Sequence, residues 1–267
     1  MAYQALSIAG SDSGGGAGVQ ADLKTFSALG VYGATAITAI TAQNTCAVAM
    51  IEAVSPAMIR AQIKAVFDDL AIGAVKVGML GGPEAIAAAA GELAGRDVPV
   101  VLDPVMVAKS GDMLLPEDAT DALRSLMLPR AALLTPNLPE AARLLDRAEA
   151  RDEAEMRDQG RALIGLGAGA VLMKGGHGSG PDCIDLLVLP EREERLTAPR
   201  RATRNTHGTG CTLSAAIAAG LARGCGLSEA VRAAHRYLQG AIAAADGLAI
   251  GQGHGPVHHF HEVWRDV

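Results

Sequence analysis

Short apolar runs alternate with helix-forming segments along this chain, and each run ends in a polar or glycine-rich turn. The runs are ALSI (5–8), YGATAITAI (32–40), AVKVGM (74–79), VPVVLDP (98–104), AALLTPN (131–137) and AVLMKGG (170–176). This alternation predicts an α/β fold whose mostly parallel sheet is covered by helices on both faces. Between the runs, Val19, Leu23 and Phe26 recur at helical spacing. In SPAMIRAQIKAVFDDL, Ser55 caps a helix, Pro56 opens it, and Ile59, Ile63, Val66 and Leu70 line one face. Two segments, 46–54 and 183–199, read as extended or hairpin structure at an edge or in a flap. The charged stretch from Arg143 to Arg161 reads as a solvated helical face.

The 267 residues, 49% hydrophobic and 19% charged, suffice for a sizeable core, and we read residues 1–267 as a single domain. A net charge of -6 provides no broad field for nucleic acid or an anionic membrane, so a small-molecule partner is expected. The four scattered cysteines form no C-x-x-C pair and suit a reducing cytoplasm. The first residues lack the basic segment of an export signal, and the longest apolar stretch, Cys211–Ala222, falls short of the ~20 residues of a membrane span.

In parallel sheets ligands collect where strands end, so the residues after each run carry the chemistry. After the first comes AGSDSGGGAGVQAD (9–22), a glycine-rich turn leading to Asp22. No G-x-G-x-x-G or P-loop can be drawn in the chain, so the turn is either a cradle for a compact ligand or a tight turn with Asp22 as a helix-start acid. TAQNT (41–45) presents the Gln43 amide, whose donor and acceptor match an amino-substituted heteroaromatic ring. Asp103 ends another run. In TPNLPE (135–140), Asn137 and Glu140 suit either a hydrated Mg²⁺ or an N-capping box. Lys174 is placed to neutralise phosphate or to reach solvent. In THGTGC (206–211), Gly208, Thr209, Gly210 and Cys211 present successive amides at a helix start, which makes either an anion hole or a capped, buried helix.

Together SIAGSDSGGGAGVQADLKTF, TAITAQNT, KVGML, LDPVMVAKSGD, TPNLPEA, LMKGGH, HGTGCTLSAAIA and GHGPVHHFH resemble the hydroxymethylpyrimidine/phosphomethylpyrimidine kinases of thiamin biosynthesis, in the ribokinase-like superfamily. The resemblance runs from about Ser7 to Trp264. It implies a three-layer ribokinase-like fold, a homodimer, and ATP- and Mg²⁺-dependent phosphorylation of 4-amino-5-hydroxymethyl-2-methylpyrimidine and then of its monophosphate. It also implies that Gln43 binds the pyrimidine and that Gly10, Ala17, Asp22, Met79, Val105 and Cys211 line its pocket. Asp103, Asn137, Glu140 and Lys174 match the nucleotide, metal and phosphate region, with Glu140 at the metal and Thr209 beside the phosphates.

Where sugar kinases of the superfamily carry an aspartate base, this chain has Cys211, and a helix N-terminus can favour a thiolate there. Pyridoxal kinases are the nearest alternative, although they typically keep that aspartate. A non-catalytic pyrimidine sensor and a dinucleotide-binding oxidoreductase are weaker readings. The histidines at 254, 258, 259 and 261 suggest a metal site or, preferably, a structural or lid-supporting tail. AKSGDMLL (108–115), with Lys109, is the candidate lid.

Overall fold

The computed structural model describes residues 1–106, 119–176 and 180–264. The apolar runs form β1 (Gln4–Ala9), β2 (Tyr32–Ile37), β5 (Ala74–Val77), β6 (Val100–Leu102), β7 (Leu133–Leu134) and β8 (Val171–Lys174). The YGATAITAI run breaks after Ile37, and its second half becomes β3 (Ala39–Gln43), paired with β4 (Val48–Ala53) in a separate two-stranded ribbon. The main sheet has the order β10-β9-β8-β7-β6-β5-β1-β2, where β9 is Asp182–Val188 and β10 is Glu193–Pro199. From β2 across to β8 all neighbours are parallel, and β9 and β10 extend the sheet antiparallel. Of the two extended segments, 46–54 therefore supplies the ribbon and 183–199 the sheet edge.

Helices cover both faces. On one lie α2 (Pro56–Asp69), α3 (Pro83–Leu93), α4 (Ala119–Ala122), α5 (Leu138–Leu145) and α6 (Glu153–Gly165), with Ile63, Ile86, Met127, Leu144 and Leu163 in one core. On the other lie α1 (Gly18–Ala28), α7 (Thr209–Ala222) and α8 (Leu227–Ala243), where Phe26, Leu213, Ile217, Val231 and Tyr237 form a second core. In α2 the Met58 N–H donates to the Ser55 hydroxyl and Pro56 opens the helix. Ile59 and Ile63 are fully buried, while Val66 and Leu70 pack at the margin of the same core.

The stretch 143–161 is not one solvated face. Helix α5 stops where Asp146 takes a left-handed conformation at φ 53°, and α6 restarts under the Asp152 cap, so that Leu144, Ala150 and Met156 turn inward. Helix α7 has Ala, Ile and Leu on nearly every side and is buried between the sheet and α1 and α8. Among the described residues no helix is long and apolar enough to cross a membrane. The segment 108–115 lies outside the described residues.

The C-terminal histidines hold the tail against the α7/α8 layer. His259 Nε2 meets the Thr212 hydroxyl at 3.1 Å, the Tyr237 hydroxyl donates to His259 O, and the His261 ring lies 5.1 Å from that of Tyr237. Burial lowers His259 to a pKa of about 3, so its ring is neutral. This is the structural reading of the tail. Among the described residues no group of three His, Cys, Asp or Glu forms a metal cluster.

Candidate active site

The carboxyl ends of β1, β5, β6, β7 and β8 open with the α7 N-terminus and the end of β3 onto one cavity of about 800 Å³. Gly10, Ala17, Gln43, Met79, Asp103, Val105, Asn137, Glu140, Lys174, Gly208, Thr209, Gly210 and Cys211 all line it. These residues run from Gly10 to Cys211 in the chain. Parallel strands bring them together because each strand ends on the same side of the sheet.

At one end the glycine turn between β1 and α1 wraps the Asp12 carboxylate, which accepts from the amides of Gly14, Gly16 and Ala17 at 2.8, 3.0 and 2.8 Å. Ser13 ties this turn to the ribbon: its hydroxyl donates to Gln43 O at 2.7 Å and accepts from Gln43 N–H at 2.8 Å. The Thr41 hydroxyl lies 3.2 Å from Gln43 Oε1 and donates to Ser11 O at 2.7 Å. Gly10 lies beneath the Met79 side chain so closely that a Cβ at Gly10 would collide with the Met79 methyl.

The opposite end is ionic. Lys174 Nζ lies 2.9 Å from Asp103 Oδ1 and 3.9 Å from Glu140 Oε2, with all three side chains largely buried. Asp103 also accepts from Thr135 at 3.1 Å and from Ser214 at 3.4 Å. Burial raises its carboxyl, but Lys174 and Lys76 outweigh that and hold it below the usual range. Glu140 has less support. Burial pushes it up to about 7, with Asp103 adding repulsion and Lys174 only partly compensating.

Both sequence readings of Asn137 and Glu140 meet here. Glu140 N–H donates to Asn137 Oδ1 and Asn137 N–H to Glu140 Oε2, each at 2.8 Å, so the pair is a full capping box on α5. The same glutamate faces the cavity beside Lys174.

Gly208, the N-cap of α7, has φ 79°, and a Cβ there would collide with the Gly16 carbonyl oxygen. The turn therefore packs backbone on backbone. Thr209 and Thr212 amides bond to Thr206 O at 3.4 Å and Gly208 O at 2.8 Å. The Gly210 and Cys211 amides have no backbone partner among the described residues. These orphan donors and the helix dipole make a site for an anion beside Lys174.

Two placements differ from expectation. Asp22 does not line the cavity; it is fully buried beneath it, 2.8 Å from Lys76 Nζ, and accepts from Ser7 at 2.6 Å. It belongs to the second turn of α1, too far from the helix start to act as a first-turn acid. Cys211 is not primed as a thiolate. Burial, reinforced by the Asp22 and Asp103 carboxylates, pushes the thiol up to about 11 against the pull of Lys76.

Lys76 is the residue that sequence reasoning passed over. It is fully buried within β5 and still lines the cavity, and the Asp22 and Asp103 carboxylates hold its ammonium above its ordinary value against burial. Its signal was visible in AVKVGM: a lysine inside a central apolar strand must have a buried counter-charge.

The family profile described as phosphomethylpyrimidine kinase matches residues 12–258. The hydroxymethylpyrimidine/phosphomethylpyrimidine kinase of Rhizobium meliloti is 61% identical over 266 residues, covering all of both chains. Its Escherichia coli counterpart is 53% identical over 261 residues, 97% of this chain and 98% of the relative. Among solved structures, the ADP complex of Bacillus subtilis pyridoxal kinase superimposes with a TM-score of 0.91 at 36% identity, covering 99% of this chain and 100% of that one. With strand-end residues gathered on a three-layer scaffold and this full-length similarity, the chain belongs to the hydroxymethylpyrimidine/phosphomethylpyrimidine kinase family of ribokinase-like proteins.

Proposed function

We propose that the protein is an ATP-dependent kinase of thiamin biosynthesis that phosphorylates 4-amino-5-hydroxymethyl-2-methylpyrimidine and then phosphorylates the monophosphate to the diphosphate. The observation that carries this reading is the 61% identity, over the whole of both chains, to a relative named for both activities. We read residues 1–267 as one catalytic domain and place it in the cytoplasm, in keeping with four free cysteines.

Phosphoryl transfer requires alignment of acceptor, phosphoryl and leaving group together with donors aimed at the equatorial oxygens. Gln43 and the glycine turn, with Met79 and Val105, hold the ring so that its hydroxymethyl group faces the α7 N-terminus. The free Gly210 and Cys211 amides of the Gly208–Cys211 turn and Lys174 bind the transferring phosphoryl, and Asp103 fixes Lys174 through their 2.9 Å contact. Asn137 keeps the Glu140 carboxylate in place through the capping box.

Mg²⁺ fits this site on chemical grounds. It prefers carboxylate and phosphate oxygens and keeps waters, and Glu140 is a buried carboxylate facing the cavity with incomplete charge compensation. Glu140, with Asp103 behind it, would hold the ion, which supplies charge neutralisation to the nucleotide phosphates.

A neutral Cys211 suits a pocket wall more than a base. In a loose transition state the acceptor proton leaves late, so a strong base at the alcohol contributes little. The second phosphorylation needs none, because its nucleophile is already ionised. Pyridoxal kinase is the second reading, favoured by the 0.91 superposition.

The homodimer is best supported by the ribbon. Two strands alone are marginal in water, yet β3–β4 exposes Ile40 at 54% and Met50 at 66%, which the register places on one face. A second copy covering that face removes these side chains from water.

Purified protein with ATP and Mg²⁺ is expected to turn over the pyrimidine alcohol and its monophosphate; turnover of pyridoxine or pyridoxal alone would replace the substrate assignment. Cys211→Ala should slow both half-reactions by similar factors of about tenfold or less in single-turnover experiments. Loss of 10²-fold or more confined to the alcohol step, on the order expected for general-base catalysis, would restore the base reading.

Glu140→Gln keeps an acceptor for Asn137 N–H and removes a poorly compensated charge. The folded carboxyl titrates near 7 against an ordinary 4.5, so the parent binds that proton more tightly when folded and loses stability as pH rises between those values. The variant should melt with the parent near pH 5 and above it at pH 8, while turnover with Mg²⁺ and ATP falls by about 10²-fold or more. Met50→Asp is expected to convert a dimer to a monomer in sedimentation velocity; a parent that is monomeric at micromolar concentration refutes the dimer.

A further inference from the structure

His207 belongs to neither the ring end nor the phosphate end by chemistry, yet it joins them. Its Nε2 lies 2.8 Å from Asp12 Oδ2, the oxygen that also accepts the Gly16 and Ala17 amides. A carboxylate only accepts, so the imidazole donates through Nε2–H. Both side chains are buried, at 2% exposure for Asp12 and 8% for His207, and both lie at the cavity wall. Burial acts to raise the Asp12 carboxyl, and the contacts with His207 and the turn amides more than offset it.

Packing makes this contact a clasp. The Gly208 backbone rests on the Gly16 carbonyl, and the Gly16 Cα rests on the His207 ring, so neither turn can shift without the other. His207 is itself fixed from behind. Its N–H donates to Gly255 O at 3.0 Å and its carbonyl accepts from Val257 N–H at 3.3 Å. A turn built around Asp12 is thus fastened to the first residue of the anion hole through one imidazole proton.

We propose that His207 is a positioning residue for phosphoryl transfer: by donating to Asp12 it locks the glycine turn of the ring site to the α7 N-terminus and sets the gap between acceptor oxygen and phosphoryl. This rests on the kinase reading for its kinetic consequence, and on the geometry alone for its mechanical one. A clasp of this kind changes kcat more than binding, because each substrate still meets its own half of the site. Displacement by about 1 Å between reacting groups costs about 10²-fold in rate. Both phosphorylation steps use the same gap and are affected together.

The test compares His207→Gln with His207→Asn. Glutamine places an amide N–H at the reach of Nε2, whereas asparagine reaches only as far as Nδ1 and cannot touch Asp12. Both variants leave Asp12 its three turn amides, which preserves the fold of that loop. The Asn variant is expected to lose about 10²-fold in kcat for both steps with each KM within about threefold, and the Gln variant to recover most of the loss. Equal kcat in the two variants overturns the proposal, as does an Asn variant whose KM rises while kcat holds.

A second readout needs no turnover. Amide hydrogen exchange at residues 14–18 and 208–211 should accelerate together in the Asn variant and stay near the parent in the Gln variant. Unchanged exchange in the Asn variant, or acceleration in one turn without the other, refutes the clasp. An inactive parent with this coupled exchange intact would instead refute the kinase reading and leave the clasp standing.

Discussion

Charge buried at the carboxyl edge of the sheet is the constraint on which the structure turns. Asp22, Asp103 and Glu140 face Lys76 and Lys174 under one cavity, and each ion is held by another or by a hydrogen-bonded hydroxyl or amide. Such pairs are poor sources of stability, since desolvation offsets most of their attraction. Their value lies in preorganisation: a lysine already held by a carboxylate and already aimed needs little rearrangement when a phosphoryl group gathers charge. The carboxylates outnumber the lysines by one. The surplus is concentrated at Glu140, the group whose carboxyl is pushed up to about 7.

The scaffold was legible because its signals are periodic. Apolar runs marked the parallel strands, Ser55 and Pro56 marked the start of α2, and the residues after each run supplied Gln43, Asp103, Asn137, Glu140 and Lys174 to the cavity wall. What escaped depended on distance across the fold. The family resemblance puts Asp22 among the pocket-lining residues, but the α1 helix turns it under the floor to meet Lys76, 54 positions away. Lys76 was read as part of a strand, and its importance appears only once Asp22 is beside it. The choice at Asn137 and Glu140 was posed as cap or cavity group, and one carboxylate serves in the cap while facing the cavity.

Cys211 shows how two local rules compete. A helix N-terminus favours a thiolate, and desolvation beside the Asp22 and Asp103 carboxylates disfavours it more strongly. Only the three-dimensional neighbours decide the sign, because Asp22 and Asp103 approach from α1 and from the end of β6. A small uncharged group at that point also leaves the neighbouring amides of Gly210 and Cys211 free of a competing anion. An aspartate there would sit close to the developing charge it is meant to assist.

The β3–β4 ribbon carries a last consequence. Gln43 stands at the end of a two-stranded element with an irregular register between Ala42 and Gln43, fastened to the glycine turn mainly by Ser13 and Thr41. The rest of the cavity is built on an eight-stranded sheet with cores on both faces. Most of the pocket is therefore built on the sheet, and the wall that Thr41 and Gln43 supply is only as ordered as a hairpin. In the ring-binding reading, the free energy of opening that hairpin is subtracted from the affinity for the ring, so selectivity among similar heterocycles depends on backbone stability in residues 39–53 as much as on the amide that touches them.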